Sequence, residues 1–281
     1  MARVRRIIAT GDGYYHVISR ITGQQFLLKD KALKEALVDA IDRSAQFSGV
    51  SVLSYCIMDN HFHLLCHIPQ FDVGTVPNEM VIERVGCLKG QEKMKDFKEH
   101  LERLAQKGKM AECEAEIERY RRRMYNLSEF VKTFKEVFSR RFKEKTGYIG
   151  QIWTERFKSV LLEDGNAVRR CAAYIELNPV RAGIVSMREE YRWNSVGAAR
   201  AGDEFAARCV TLRRRLLDGE CESEEWMMKR CVQLSAGVIL GSVKFVQAAL
   251  EANQPKLRSS RLKPREVIGE IYASHGYKCV I

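Results

Sequence analysis

A strand-turn-strand pattern over residues 50–68 limits the folds open to this chain more than any other stretch. Val50-Ser51-Val52-Leu53-Ser54-Tyr55-Cys56-Ile57 is rich in β-branched and aromatic residues, and a second run, His61-Phe62-His63-Leu64-Leu65-Cys66-His67-Ile68, follows after Met58-Asp59-Asn60. Together they predict a hairpin whose tight turn is Asp59-Asn60, since both residues tolerate positive φ. Side chains alternate along a strand. Phe62, Leu64, Cys66 and Ile68 therefore share one face, predicted to be core, and His61, His63, Leu65 and His67 share the other. Two imidazoles at i and i+2 project the same way from a stiff support and suit a shared divalent ion. Packed or surface histidines can show the same spacing, so the chemistry needs a third ligand and a reactive group from elsewhere in the chain.

The neighbouring segments supply a frame. Tyr14 to Arg20 follows the Gly11-Asp12-Gly13 turn and predicts a strand, which either brings His16 near the histidine pair or buries it with a structural hydrogen bond. Asp30 opens a helix with Leu33, Leu37, Ala40 and Ile41 at three- and four-residue spacing, and Gly49 closes it. Strand, helix and hairpin form the first half of a split β-α-β fold, an α+β class with an antiparallel sheet covered by helices. From about 79 to 126 the chain is charge-dense, with apolar residues too sparse for core helices. This predicts a solvated helical hairpin, inserted into the domain, with Gly108 near its turn. Ser128 is the expected cap of a stronger helix carrying Phe130, Val131, Phe134, Val137 and Phe138. Arg156 to Leu162 is the expected last strand of the sheet. There Arg156, Lys158 and the nearby Trp153 interleave cationic and aromatic groups as single-stranded nucleic acid requires, although Trp153 equally suits the core.

Composition points the same way. Lys and Arg number 47 against 36 Asp and Glu, a formal charge of +11 that favours a polyanionic partner. No apolar run approaches the ~18 residues that cross a bilayer, and no signal peptide follows Met1, so a cytoplasmic, nucleoid-associated protein with no membrane partner is expected. The 9 cysteines contain no Cys-x-x-Cys pair, which fits reduced, buried thiols.

The missing partners lie at 164–183. Asp164 can cap a short helix through Asn166, Val168, Cys171 and Tyr174 that ends at Pro179. Tyr174 and Asn178 are four apart and share a helix face. If that face covers the histidine side of the sheet, His61, His63 and Asn178 can hold one divalent ion, with Tyr174 poised over a phosphate. Glu176 falls roughly 200° round the helix from Tyr174 and points away.

These residues resemble a known family. His61-Phe62-His63 looks like the HUH motif, and Tyr174-Ile175-Glu176-Leu177-Asn178-Pro179-Val180-Arg181-Ala182-Gly183 looks like the single-tyrosine motif of the REP-associated tyrosine transposases, with Trp153-Thr154-Glu155-Arg156-Phe157-Lys158-Ser159 between them also similar. The resemblance implies a ferredoxin-like sheet with the histidines on a central strand, His61, His63 and Asn178 as metal ligands, and Tyr174 as nucleophile. It further implies Mg²⁺ or Mn²⁺ as cofactor, although imidazole also accepts zinc. The implied activity is that of a single-stranded DNA endonuclease and strand transferase acting on hairpin-forming repeats through a 5′-phosphotyrosine. Arg156, Lys158, Trp153 and Arg181 are the expected DNA-binding residues, and the protein acts as monomer or homodimer. Two other readings stay open: a catalytically inactive hairpin DNA- or RNA-binding protein, and a metal phosphodiesterase that activates water.

Residues 1–198 form the expected catalytic domain and 199–281 a helical, basic extension. In the extension 204–217, 224–232 and 243–250 look helical, and Lys256, Arg258, Arg261, Lys263 and Arg265 form a basic tail suited to phosphates.

Overall fold

A computed structural model describes residues 6–217, 237–257, 266–267 and 277–280. The chain divides into two compact units, one of residues 1–29, 52–67 and 151–281, the other of 30–51 and 68–150. Four strands form the framework of the first unit: β1 (Gly13–Arg20), β2 (Ser51–Ile57), β3 (His61–Ile68) and β4 (Lys158–Leu162), in the spatial order β2-β3-β1-β4. This is the ferredoxin-like order, and the histidine strand β3 lies inside it. β1 and β4 are antiparallel, with His16 opposite Val160 and Ile18 opposite Lys158. The fold class is thus the α+β class that the sequence predicts.

The Asp59-Asn60 turn forms by a different route from the one predicted. Among the described non-glycine residues only Gln24 and Tyr125 have positive φ, so neither turn residue adopts it. The loop after β1 holds the turn from outside. Ile21 N–H donates to the Asn60 carbonyl at 2.8 Å, and Leu28 N–H donates to the Asp59 carbonyl at 2.9 Å. External hydrogen bonds here replace the local backbone preference.

One face of this sheet is covered by α6 (Asn166–Glu176), whose Val168, Cys171, Ala172 and Ile175 pack with Tyr14, Leu53, Leu65, Val160 and Leu162. The N-cap of α6 is Gly165 rather than Asp164, which instead accepts from the Gly165 N–H at 2.6 Å. After the short α7 (Asn178–Arg181) the chain fastens itself to β2. Tyr191 Oη donates to the Ile57 carbonyl at 2.8 Å, and Ile57 N–H donates to the Trp193 carbonyl at 2.9 Å. Two helices follow, α8 (Ser195–Arg200) and α9 (Glu204–Leu216).

Beyond β4 the sheet continues, which no local sequence pattern predicts. β5 (Gly237–Gly241) runs parallel to β4, β7 (Tyr277–Val280) pairs antiparallel with β5, and β6 (Glu266–Val267) pairs with β7. The extension is therefore mixed rather than only helical, with α10 (Val243–Leu257) as its described helix after α9. The helix expected at 224–232 and the side chains of the basic tail lie outside the described residues.

The second unit holds α1 (Lys31–Ser48), α2 (Asn78–Lys89), α3 (Gln91–Gln106), α4 (Met110–Arg121) and α5 (Leu127–Thr146). Asp30 caps α1 through the Ala32 and Leu33 N–H groups, and Gly49 ends it at φ 72°. The cap of α5 is Asn126, two residues before the expected Ser128. The charged insertion corrects the solvated-hairpin expectation. It is three helices, not two, and Val81, Val85, Leu101, Cys113, Ile117 and Tyr120 share a core with Phe47 of α1. Each helix contributes only a few apolar side chains, so no single stretch looks buried by composition. Gly108, at φ 70°, makes the turn between α3 and α4 as predicted.

Candidate active site

The histidine face of β3 and the covering helix α6 meet at one cluster. The Tyr174 ring lies edge-on to His63 and to His16, each at 5.6 Å between centroids. His61 and His63 are edge to face at 4.9 Å. His16 Nε2 and His63 Nδ1 are hydrogen-bonded at 2.9 Å, and His61 Nδ1 is 2.6 Å from Asn60 Oδ1. Tyr174, His63 and His16 are all buried, and the exposed Arg181 guanidinium sits 5.0 Å over the Tyr174 ring. A sheet face and a helix, both rigid, thus hold the imidazoles and the phenol together.

Burial sets the charge state of this cluster. It pushes the His61 pKa down to about 4, and the nearby positive charge of Arg20 adds to the effect. His63 is driven well below the ordinary histidine range by burial, then by His16, His61, Arg20 and Arg181. Both imidazoles are neutral at physiological pH and can offer lone pairs. Around them lies a cationic rim. Lys158 is opposite Ile18 in the β1–β4 register, so it shares the sheet face of His16, Ile18 and Arg20, and Arg20 and Lys158 are both exposed. Sequence reasoning misses Arg20. Its signal is its even spacing from His16, four residues along one strand.

At Asn178 the helix changes course, because Pro179 has no N–H to give the Ile175 carbonyl. The Asn178 side-chain amide substitutes, donating to the Tyr174 carbonyl at 2.9 Å and the Ile175 carbonyl at 3.5 Å. With the amide nitrogen turned to the helix, Oδ1 is the atom that can serve a ligand. Among the described residues no three His, Cys, Asp or Glu side chains are grouped to hold a metal ion. His61 and His63, each engaged at Nδ1, retain Nε2, so an amide oxygen and non-protein oxygens would have to complete a coordination shell.

The other sequence-derived residues are placed less uniformly. Trp153 is buried, edge-on to Phe62 at 5.5 Å and bridged to Ile21, so its ring belongs to the core and is not presented to a base. Arg156 is exposed but precedes β4 instead of starting it. Glu176 points away from Tyr174 as predicted. Its buried carboxylate accepts from Ser54 Oγ at 3.2 Å, Ser195 Oγ at 3.0 Å, Arg188 Nη1 at 3.4 Å, and Arg213.

Two neutral imidazoles, a buried tyrosine and exposed cations thus lie on one face of a ferredoxin-like sheet. Residues 9–103 match the family described as "Transposase IS200 like", a family of DNA-processing enzymes, and this stretch contains β1, both histidines of the motif and the start of the insertion. The match thereby covers the segment that carries the histidine motif. The Tyr174 motif lies outside the matched residues. A solved structure of a REP-associated tyrosine transposase bound to a REP hairpin is similar at 14% identity, covering 79% of this chain and 94% of that one with a TM-score of 0.45. No curated protein matches at comparable significance.

Proposed function

We propose that the chain is a metal-dependent single-strand DNA endonuclease and strand transferase of transposase type, with Tyr174 as nucleophile. The observation that carries this reading is the burial of the Tyr174 ring at 5.6 Å from His63, on the same sheet face as His61. His61, His63 and Asn178 would hold the divalent ion, Mg²⁺ or Mn²⁺, through two Nε2 atoms and Oδ1. When bound, such an ion supplies charge stabilisation at the scissile phosphate and favours the phenolate.

The chain's own residues do the rest. Arg20, Lys158 and Arg181 bind and orient the phosphates of a single strand. Tyr174 Oη attacks phosphorus, the P–Oη bond forms, and the P–O3′ bond breaks. The phenolic proton leaves to solvent and the departing 3′ oxygen takes up a proton as a hydroxyl. Reversal by this or another 3′-hydroxyl rejoins the strand and frees the tyrosine, with no need for ATP. Hairpin-forming single-stranded DNA is the substrate that the single-tyrosine motif implies.

A denaturing gel of the full-length protein with labelled hairpin DNA and Mg²⁺ or Mn²⁺ tests this. The expected result is a covalent protein–DNA adduct that Tyr174→Phe and His61→Ala both abolish. Cleavage surviving in Tyr174→Phe would instead mark water as the nucleophile, and tight hairpin binding without cleavage would mark a binding protein.

A further inference from the structure

We propose that His16 is a positioning residue for the histidine pair: its Nε2 accepts the Nδ1 proton of His63 and keeps the His63 Nε2 lone pair ready for a divalent cation, a role that rests on reading His61 and His63 as ion ligands. His16 Nε2 is 2.9 Å from His63 Nδ1, and the two rings stack at 5.1 Å between centroids, 19° from parallel. Both side chains are buried, and His16 sits on β1 opposite Val160 rather than on a loop, so the contact is held rigidly.

One proton lies between the two nitrogens, and its position decides the chemistry. With His16 as donor, neutral His63 would carry its own proton on Nε2, which closes that nitrogen to any cation. With His63 as donor, Nε2 is bare. The neighbouring ligand shows the matching arrangement. His61 Nδ1 is 2.6 Å from Asn60 Oδ1, a carboxamide oxygen that can only accept, so His61 is protonated on Nδ1 and bare at Nε2. His16 does for His63 what Asn60 does for His61, and the pair presents the same nitrogen twice. His16 is also edge-on to Tyr174 at 5.6 Å, so the residue that orients the ligand borders the nucleophile as well.

Mn²⁺ binding to the full-length protein, read by electron paramagnetic resonance, tests this in His16→Phe and His16→Gln with His61→Ala alongside. His16→Phe keeps a ring but removes the acceptor, and the expected loss of Mn²⁺ affinity is about 10–100-fold, as for other outer partners of metal-bound histidines. His16→Gln returns an amide oxygen and should bind close to wild type. Wild-type affinity in His16→Phe, with binding lost in His61→Ala, overturns the role of His16 and leaves the histidine site standing. Unchanged affinity in both overturns the site and the role together. Proton–nitrogen correlation spectra of the wild-type histidine rings, without added metal, need no variant to fold. His63 protonated on Nδ1 is the expected result, and His63 protonated on Nε2 overturns the assignment.

Discussion

The two motif histidines and the tyrosine are legible as residues because each motif is local: spacing of two on a strand and four on a helix fixes direction without any tertiary knowledge. What is not legible is what depends on register. Arg20 joins the site because β1 lies beside β3, where its charge acts on His61 and His63, and Trp153 leaves it because its ring packs edge-on to Phe62 beside the bridge to Ile21. The buried imidazoles also carry a pH signature. His61 holds its proton in the unfolded chain below the ordinary value of 6.5, but in the folded chain only below about 4. Between those values the unfolded state binds more protons, so stability is fully present above 6.5 and falls as the pH drops toward 4. Thermal denaturation across that window should show the decline, and His61→Asn should flatten it. A slope that is unaltered in the variant would remove His61 as its source.

At the scale of elements, the histidine hairpin, α1 and the motif helix α6 all lie where the hydrophobic period puts them. The differences lie at helix ends and in shared cores. Asn126 rather than Ser128 caps α5, its side chain accepting from the Ser128 and Glu129 N–H groups, so the helix starts two residues earlier than the serine suggests. The insertion reads as solvated because its core is assembled from three helices, none of which is strongly apolar alone, together with Phe47 of α1. The Glu176 network has a clear energetic role: it ties α6 to Ser54 of β2, Ser195 of α8 and Arg213 of α9. Glu176→Ala would leave Arg188 and Arg213 without their shared carboxylate, and a loss of about 3 kcal/mol is expected, the low end for breaking a buried pair because both arginines keep some exposure to solvent. Urea denaturation measures it. A change within a few tenths of a kcal/mol would show that the network contributes little to holding the helix.

Over the whole molecule, the positive charge read from composition acquires an address. Arg20 and Lys158 are exposed on the histidine face of the sheet and Arg181 lies over the Tyr174 ring, so the DNA binding proposed for this face should weaken as salt rises. Each alanine substitution at Arg20 or Lys158 should reduce the slope of log affinity against log salt by about 0.7 for every phosphate that it leaves without a cation. Fluorescence anisotropy over a salt series reads this, and slopes equal to wild type would place the DNA elsewhere. No helix among the described residues is long and apolar enough to cross a membrane. The C-terminal strands are invisible in the sequence because short strands that pair far along the chain leave no local period to detect. They nonetheless solve a problem for the sheet. β4 would be its outermost strand, and β5 covers it, with Leu161 and Leu162 of β4 in register with Ile239 and Leu240. A fragment ending at residue 217 would bare that row of amide and carbonyl groups, and bare edges recruit other edges. We predict that this fragment self-associates on size-exclusion chromatography beyond any assembly of the full chain, a fragment that elutes no larger than the full chain being the contrary outcome. The far end of this chain, remote in sequence from the histidines, thus closes an edge that the strands around the histidines would otherwise leave open.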